Sequence, residues 1–157
     1  MTSGTMAPMD EDLTAAVQFE MMLLSRYQNR VARSDPSGLD RSAFTLLSRL
    51  RIDGPMSIGE LTEAFGLDTS TVNRQTAALV RHGLAERIPD PDGGIARKFR
   101  LTAEGEERLA AANRANHLGA AKVLADWSPT DQAELVAMLR RLNTDIERIT
   151  GERWPRP

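Results

Sequence analysis

The sequence contains no cysteine. That absence excludes disulfides, zinc–thiolate sites, iron–sulfur clusters and thiol catalysis. Lysine is nearly absent as well: Lys98 and Lys122 stand against 18 arginines. Genomic codon bias accounts for that ratio at least as readily as function does, although arginine is the side chain suited to bidentate phosphate and guanine contacts. The only histidines are His82 and His117, too few for a metal site built on imidazole, so no metal and no cofactor is expected. A P-loop, an HExxH motif and a Ser/His/Asp or Cys/His set are all missing, which argues against an enzyme. No run approaches the ~20 apolar residues of a membrane span. The first ten residues lack the basic and apolar regions of a signal peptide. A cytoplasmic protein with no membrane partner is the expectation. Strong net charge is lacking too: the sum is -2 with a pI near 5.7. That argues against a wholly basic nucleic-acid coat but leaves room for a local basic face.

What remains is a chain of 157 residues, the size of one domain with extensions. Residues 1–9 read as a disordered tail. Turn clusters at Asp35-Pro-Ser-Gly38, Asp53-Gly-Pro55, Pro89-Asp-Pro-Asp-Gly-Gly94 and Trp127-Ser-Pro129 divide periodic segments. Leu13, Val17, Leu24, Tyr27 and Val31, widened by Phe19, Met22 and Leu23, predict a helix over 10–33. Phe44, Leu47 and Leu50 predict a second over 40–51. Ser57 and Glu60 form a capping box that opens a third over 57–65. A fourth over 69–82 is capped by Asp68 or Thr69 and ended by Gly83. The apolar interior of this helix pair is expected to be Leu61, Ala64, Leu67, Val72, Leu79 and Val80. The period then changes. Residues 84–88 and 95–101 predict two strands around a tip at 90–94, with Ile95, Arg97, Phe99 and Leu101 sharing one side. Helices over 102–126 and 129–150 follow.

Two short helices joined by Gly66-Leu-Asp68 and followed at once by a hairpin are a winged helix-turn-helix signature. The fold expected is therefore mainly α with a small β-hairpin, the DNA-binding lobe spanning 39–101, with helical extensions at 10–38 and 102–157. The second helix of the pair would enter the major groove by its N-terminal residues. Arg74 suits guanine, and Asn73 or Gln75 suits adenine. Ser70 and Thr71 can hold phosphates at the helix N-terminus. Arg81, and Arg97 and Lys98 on the wing, complete the candidate DNA-binding set. Residues 69–101 carry six basic side chains against three acids, a net +3, leaving -5 for the rest. A basic segment in an acidic protein is the footprint of localised DNA contact. The alternative is a winged-helix module that binds protein and not DNA. On the last helix, Leu135, Leu139, Leu142, Ile146 and Ile149 form a seam that fits either another chain or a helix of the same chain.

The run from Leu61 to Gly105 resembles the MarR family of winged-helix transcriptional regulators. The resemblance is carried by Pro55-Met-Ser-Ile-Gly-Glu-Leu61, Ser70-Thr-Val-Asn-Arg74, Leu79-Val-Arg-His-Gly-Leu84, Arg87, Asp90-Pro-Asp92 and Leu101-Thr-Ala-Glu-Gly105. One departure stands out: the family usually has arginines just before the second wing strand, where this chain has Gly94 and Ile95. The resemblance implies a transcriptional regulator, a repressor released by a small-molecule ligand. It implies a homodimer built on the terminal helices, hence a pseudo-palindromic double-stranded DNA operator. It also implies a small aromatic or phenolic effector, with Phe19, Met22, Leu23, Phe44 and His117 as candidate pocket residues. The missing cysteine excludes the family's cysteine-based peroxide sensing.

Overall fold

In the computed structural model, residues 11–34 and 37–156 are described. The tail expected at 1–9 and the Asp35-Pro36 part of the first turn lie outside them, as does the side chain of Val31. Helix α1 (Glu11–Ser34) is one compact unit, and the chain from the Ser37 turn onward is another. The second unit runs α2 (Arg41–Asp53), β1 (Met56–Ser57), α3 (Ile58–Phe65), α4 (Thr69–Arg81), β2 (Ala85–Ile88), β3 (Lys98–Leu101), α5 (Ala103–Val123) and α6 (Pro129–Thr150).

Helix starts follow the side-chain oxygens in the sequence. Asp40 accepts from the Ala43 N–H at 2.8 Å and opens α2. Ser57 accepts from the Glu60 N–H at 3.2 Å, and Glu60 accepts in return from the Ser57 N–H at 2.6 Å, closing the expected box at α3. Ser128 caps α6 ahead of Pro129, where the missing N–H costs nothing. Gly66, at φ 58°, ends α3 in the left-handed region that side chains with a Cβ avoid.

The wing is a three-stranded antiparallel sheet in the order β1-β3-β2, not the two-stranded hairpin expected. Met56 pairs with Phe99 and Ser57 with Lys98 on one edge, and Arg87 pairs with Phe99 on the other. Two residues are too few to reveal a periodicity, so β1 left no signal in the sequence. β3 begins at Lys98, three residues later than expected, and Ile95 to Arg97 form an exposed loop. Ile95 is therefore fully exposed and does not share a face with the buried Phe99 and Leu101. α5 also ends at Val123, short of Asp126.

One core holds this unit together. Leu46, Leu47 and Leu50 of α2 meet Leu61 of α3, Val72 and Leu79 of α4, Phe99 and Leu101 of β3, and Leu109 and Ala112 of α5. Phe44 is half-buried against it. On α4 the inward stripe is Val72, Thr76 and Leu79. Thr76 satisfies its hydroxyl by donating to the Val72 carbonyl at 2.8 Å, so it can be buried without loss. Leu67 and Val80, expected in this interior, are exposed: Leu67 lies in the turn, and Val80 lies one helical step off the inward stripe.

The wing is tied to α5 at one close joint. The Thr102 hydroxyl donates to the Gly83 carbonyl at 2.6 Å, and the Thr102 N–H donates to the Leu84 carbonyl at 3.1 Å. Gly105 sits against the same carbonyl, where a Cβ would lie 2.0 Å from its oxygen. Glycine at the end of Leu101-Thr-Ala-Glu-Gly105 therefore lets α5 approach the backbone.

Candidate nucleic-acid interface

The outward face of α4 carries Thr69, Ser70, Asn73, Arg74, Ala77, Val80 and Arg81 in helical periodicity, all exposed. Thr71 and Gln75 flank it, half-buried. Arg74 and Arg81 are two turns apart on this face. Neither has a carboxylate partner among the described residues, so both guanidinium forks are available to an outside ligand. Ala77 between them is small, so the helix can approach a surface closely there. The sequence reasoning passed over it because it names no polar group.

The N-terminus of α4 is already occupied. Asp68 accepts from the Thr71 N–H at 2.8 Å and from the Thr71 hydroxyl at 2.7 Å, and the Ser70 hydroxyl also donates to it. The hydrogen bonds from the Ser70 hydroxyl, then those from Thr71, hold the Asp68 carboxyl well below the usual carboxylate range. A hydroxyl has one hydrogen to donate, and a phosphate only accepts. Ser70 and Thr71 thus serve the cap, and the Asp68 charge also opposes an anion at this helix end. The expectation that these two hydroxyls hold phosphates did not count Asp68 as a competitor.

The wing divides its charges in two. The Lys98 ammonium lies 3.3 Å from Asp90, 3.4 Å from Glu60 and 3.8 Å from Asp92. Its side chain is only 12% exposed. Partial burial works against its charge, and the hydrogen bonds to Asp90 and Glu60 outweigh it, so its pKa lies above the ordinary value. The backbone N–H of Asp92 lowers Asp90, and that of Ser57 lowers Glu60, with Lys98 adding to both. Arg100 places two donors on Glu86, at 3.1 and 2.6 Å. Arg87 lies over the Phe99 ring, 5.6 Å from its centroid. Arg97 is exposed, with one long hydrogen bond to the Arg87 carbonyl at 3.4 Å. The net +3 of this segment thus resolves into four arginines that lack acid partners among the described residues, Arg74, Arg81, Arg87 and Arg97, against one excess acid in the Lys98–Asp90–Asp92 group.

The Lys98 cluster has a defined pH response. Asp90 and Glu60 titrate below their ordinary values of 3.8 and 4.5, so their stabilisation is present above those values and is lost as the pH falls through the lower folded values. Lys98 titrates above 10.5, so its contribution is lost only as the pH rises through that higher value. Thermal melting followed from about pH 7 down to about pH 3 should show a loss of stability concentrated below about pH 4.5. Lys98→Met, which leaves three carboxylates facing one another, should lower the melting temperature at neutral pH and flatten this acid limb. Identical pH profiles for the two proteins would mean that Lys98 contributes nothing and that the backbone hydrogen bonds from Ser57 and Asp92 alone set the acid limb.

On α1, Phe19, Met22 and Leu23 are exposed, as is His117 on α5, while Phe44 packs on the lobe core. On α6, Leu135 is half-buried and Leu139, Leu142, Ile146 and Ile149 are exposed. An open cleft of about 360 Å³ is lined by Asp53, Pro55, Met56, Glu60, Pro91, Asp92 and Lys98. Its acidic walls do not suit a nucleic acid.

Comparison with known proteins decides what this arrangement belongs to. Residues 37–94 match the model of the MarR family. The HTH-type transcriptional regulator YxaD of Bacillus subtilis (strain 168) is 35% identical over 105 residues, covering 67% of this chain and 73% of that protein. The chain belongs to the MarR family of transcriptional regulators. MarR-family proteins of known structure share its fold. A MarR family transcription regulator superposes with a TM-score of 0.74 at 20% identity, over 91% of this chain and 95% of its own. RV1404 from Mycobacterium tuberculosis gives 0.71 at 20% identity, over 90% and 97%. The MarR winged helix is thus the fold of this chain, and its relatives are transcriptional regulators and not enzymes. No described helix is long and apolar enough to cross a membrane.

Proposed function

We propose that this MarR-family protein is a cytoplasmic homodimer that binds a pseudo-palindromic DNA operator and represses transcription until a small aromatic or phenolic ligand releases it. The observation that carries the DNA-binding part is the exposed α4 face, where Asn73, Arg74 and Arg81, with the half-buried Gln75 at its edge, offer base-reading groups and neither arginine has a carboxylate partner among the described residues. Arg97 on the wing supplies a phosphate contact. Lys98 is a strut of the wing in this reading, and Ser70 and Thr71 are partners of the cap. The dimer is supported by α6: not one of its 22 residues is buried within the single chain, although Leu139, Leu142 and Ile146 recur on one stripe. Helices draw most of their stability from a packed apolar face, so this stripe calls for a partner. Ligand release rests on family membership, with Phe19, Met22, Leu23, Phe44 and His117 as the candidate pocket.

Selection from a randomised duplex library tests the reading. The enriched sequences should contain an inverted repeat with half-site centres about 10 base pairs apart, or a multiple of that spacing. A pool with no enriched repeat would contradict sequence-specific binding by a two-fold dimer.

A further inference from the structure

The chain after α6 turns back onto the helix-turn-helix. Gly151, at φ 77°, ends α6, and four of the next five residues, Glu152, Arg153, Trp154 and Arg156, make contacts back onto the fold. The Trp154 ring meets Phe65, the last residue of α3, edge-on, with centroids 5.6 Å apart at 61°. The Arg49 guanidinium of α2 covers the same ring at 5.2 Å, and its Nη1 donates to the Arg153 carbonyl at 3.1 Å. Asp53 orients that guanidinium by accepting from its Nε at 2.6 Å. Glu152 lies against Gly66 so closely that a Cβ there would strike its carboxylate. Arg156 closes the loop by donating to both oxygens of Glu147 on α6, at 3.0 and 2.8 Å. Residues 151–156 thus join the end of α6 to α2, to the end of α3 and to the turn that leads into the recognition helix.

We propose that this segment is a strap, and that Trp154 is a positioning residue that sets the angle of the recognition helix relative to α6. The inference rests on the DNA-binding, α6-paired dimer proposed above. If α6 fixes the two-fold axis, then whatever holds the α3–α4 turn against the end of α6 also fixes the separation of the two α4 helices. A dimer with a fixed separation binds one half-site spacing without reordering, and ordering costs affinity. Trp154 touches neither base nor effector in this role. It acts through Phe65, the residue before the turn that aims α4, while Glu152 lies against Gly66 in that turn.

The test uses the full chain and synthetic duplexes carrying the selected repeat, the same repeat with one base pair added or removed between half-sites, and a single half-site. Trp154→Ala should remain dimeric in sedimentation. It should lose operator affinity by about tenfold, the combined size of one aromatic pair and one exposed cation–π contact. Its preference for the native spacing should flatten, and its affinity for the single half-site should stay unchanged. Trp154→Phe keeps an aromatic edge against Phe65 and should recover most of the affinity and the spacing preference. Unchanged affinity and spacing preference in Trp154→Ala would overturn the strap. An equal loss on the single half-site would overturn it too, because the defect would then lie within α4. So would unfolding of both variants, which would make the ring an ordinary core residue. Arg74→Ala separates the two levels: if it loses operator binding while Trp154→Ala does not, the strap fails and the DNA-binding reading stands.

Discussion

Leu142→Asp should turn the protein into a monomer and weaken operator binding by roughly 10²–10⁴-fold, the gain in effective concentration that linking two half-site contacts supplies. Leu142 lies mid-seam on α6, between Leu139 and Ile146, and is exposed in the single chain. A carboxylate there would have to be buried unpaired in a dimer, at a cost of several kcal/mol. The lobe should survive, because Leu142 is absent from the core that joins α2, α3, α4, the wing and α5. Sedimentation velocity reads the mass and an anisotropy titration reads the affinity. A dimer of unchanged affinity would move the interface away from α6.

Arg74→Ala should cost about 1–3 kcal/mol of affinity per half-site, the size of one bidentate guanine contact, and should relax the preference at one base pair in each. The effect should fall on binding alone. Arg74 is exposed and pairs with no carboxylate among the described residues, so removing it leaves no orphaned charge inside the fold. The melting temperature should therefore stay within the small range of surface substitutions. Binding to random DNA should change less, since a lost phosphate contact weakens all sequences alike. Equal losses on operator and random DNA would make Arg74 a phosphate contact.

Local signals in the sequence located most of the fold. The Ser57–Glu60 box, the periodicity of α4 and the break at Gly83 each act within a few residues, so spacing alone discloses them. What spacing could not disclose depends on partners far along the chain. Lys98 reads as a phosphate contact until the fold brings Glu60, 38 positions away, to its ammonium. Local spacing gives Trp154 no role, which emerges only when Arg49, more than a hundred positions earlier, covers the ring. For Ser70 and Thr71 the unseen partner is nearer: the Asp68 carboxylate at the cap accepts from the hydroxyls that a phosphate would need. β1 was invisible because its two residues are a strand only by virtue of Phe99 and Lys98 across from them. The candidate site was legible in residue type but not in availability, because availability is set by which charges the fold neutralises.

The central claim is that α4 reads sequence through Arg74, one of its two arginines without a carboxylate partner among the described residues. The most direct measurement is a side-by-side anisotropy titration of the wild-type protein and Arg74→Ala on the selected operator and on a scrambled duplex, at one salt concentration. The wild type should prefer the operator by about 10³-fold or more, and Arg74→Ala should lose about 5- to 150-fold of that preference for each half-site contact removed. Equal affinity of the wild type for both duplexes, or a preference untouched by the substitution, would contradict the account.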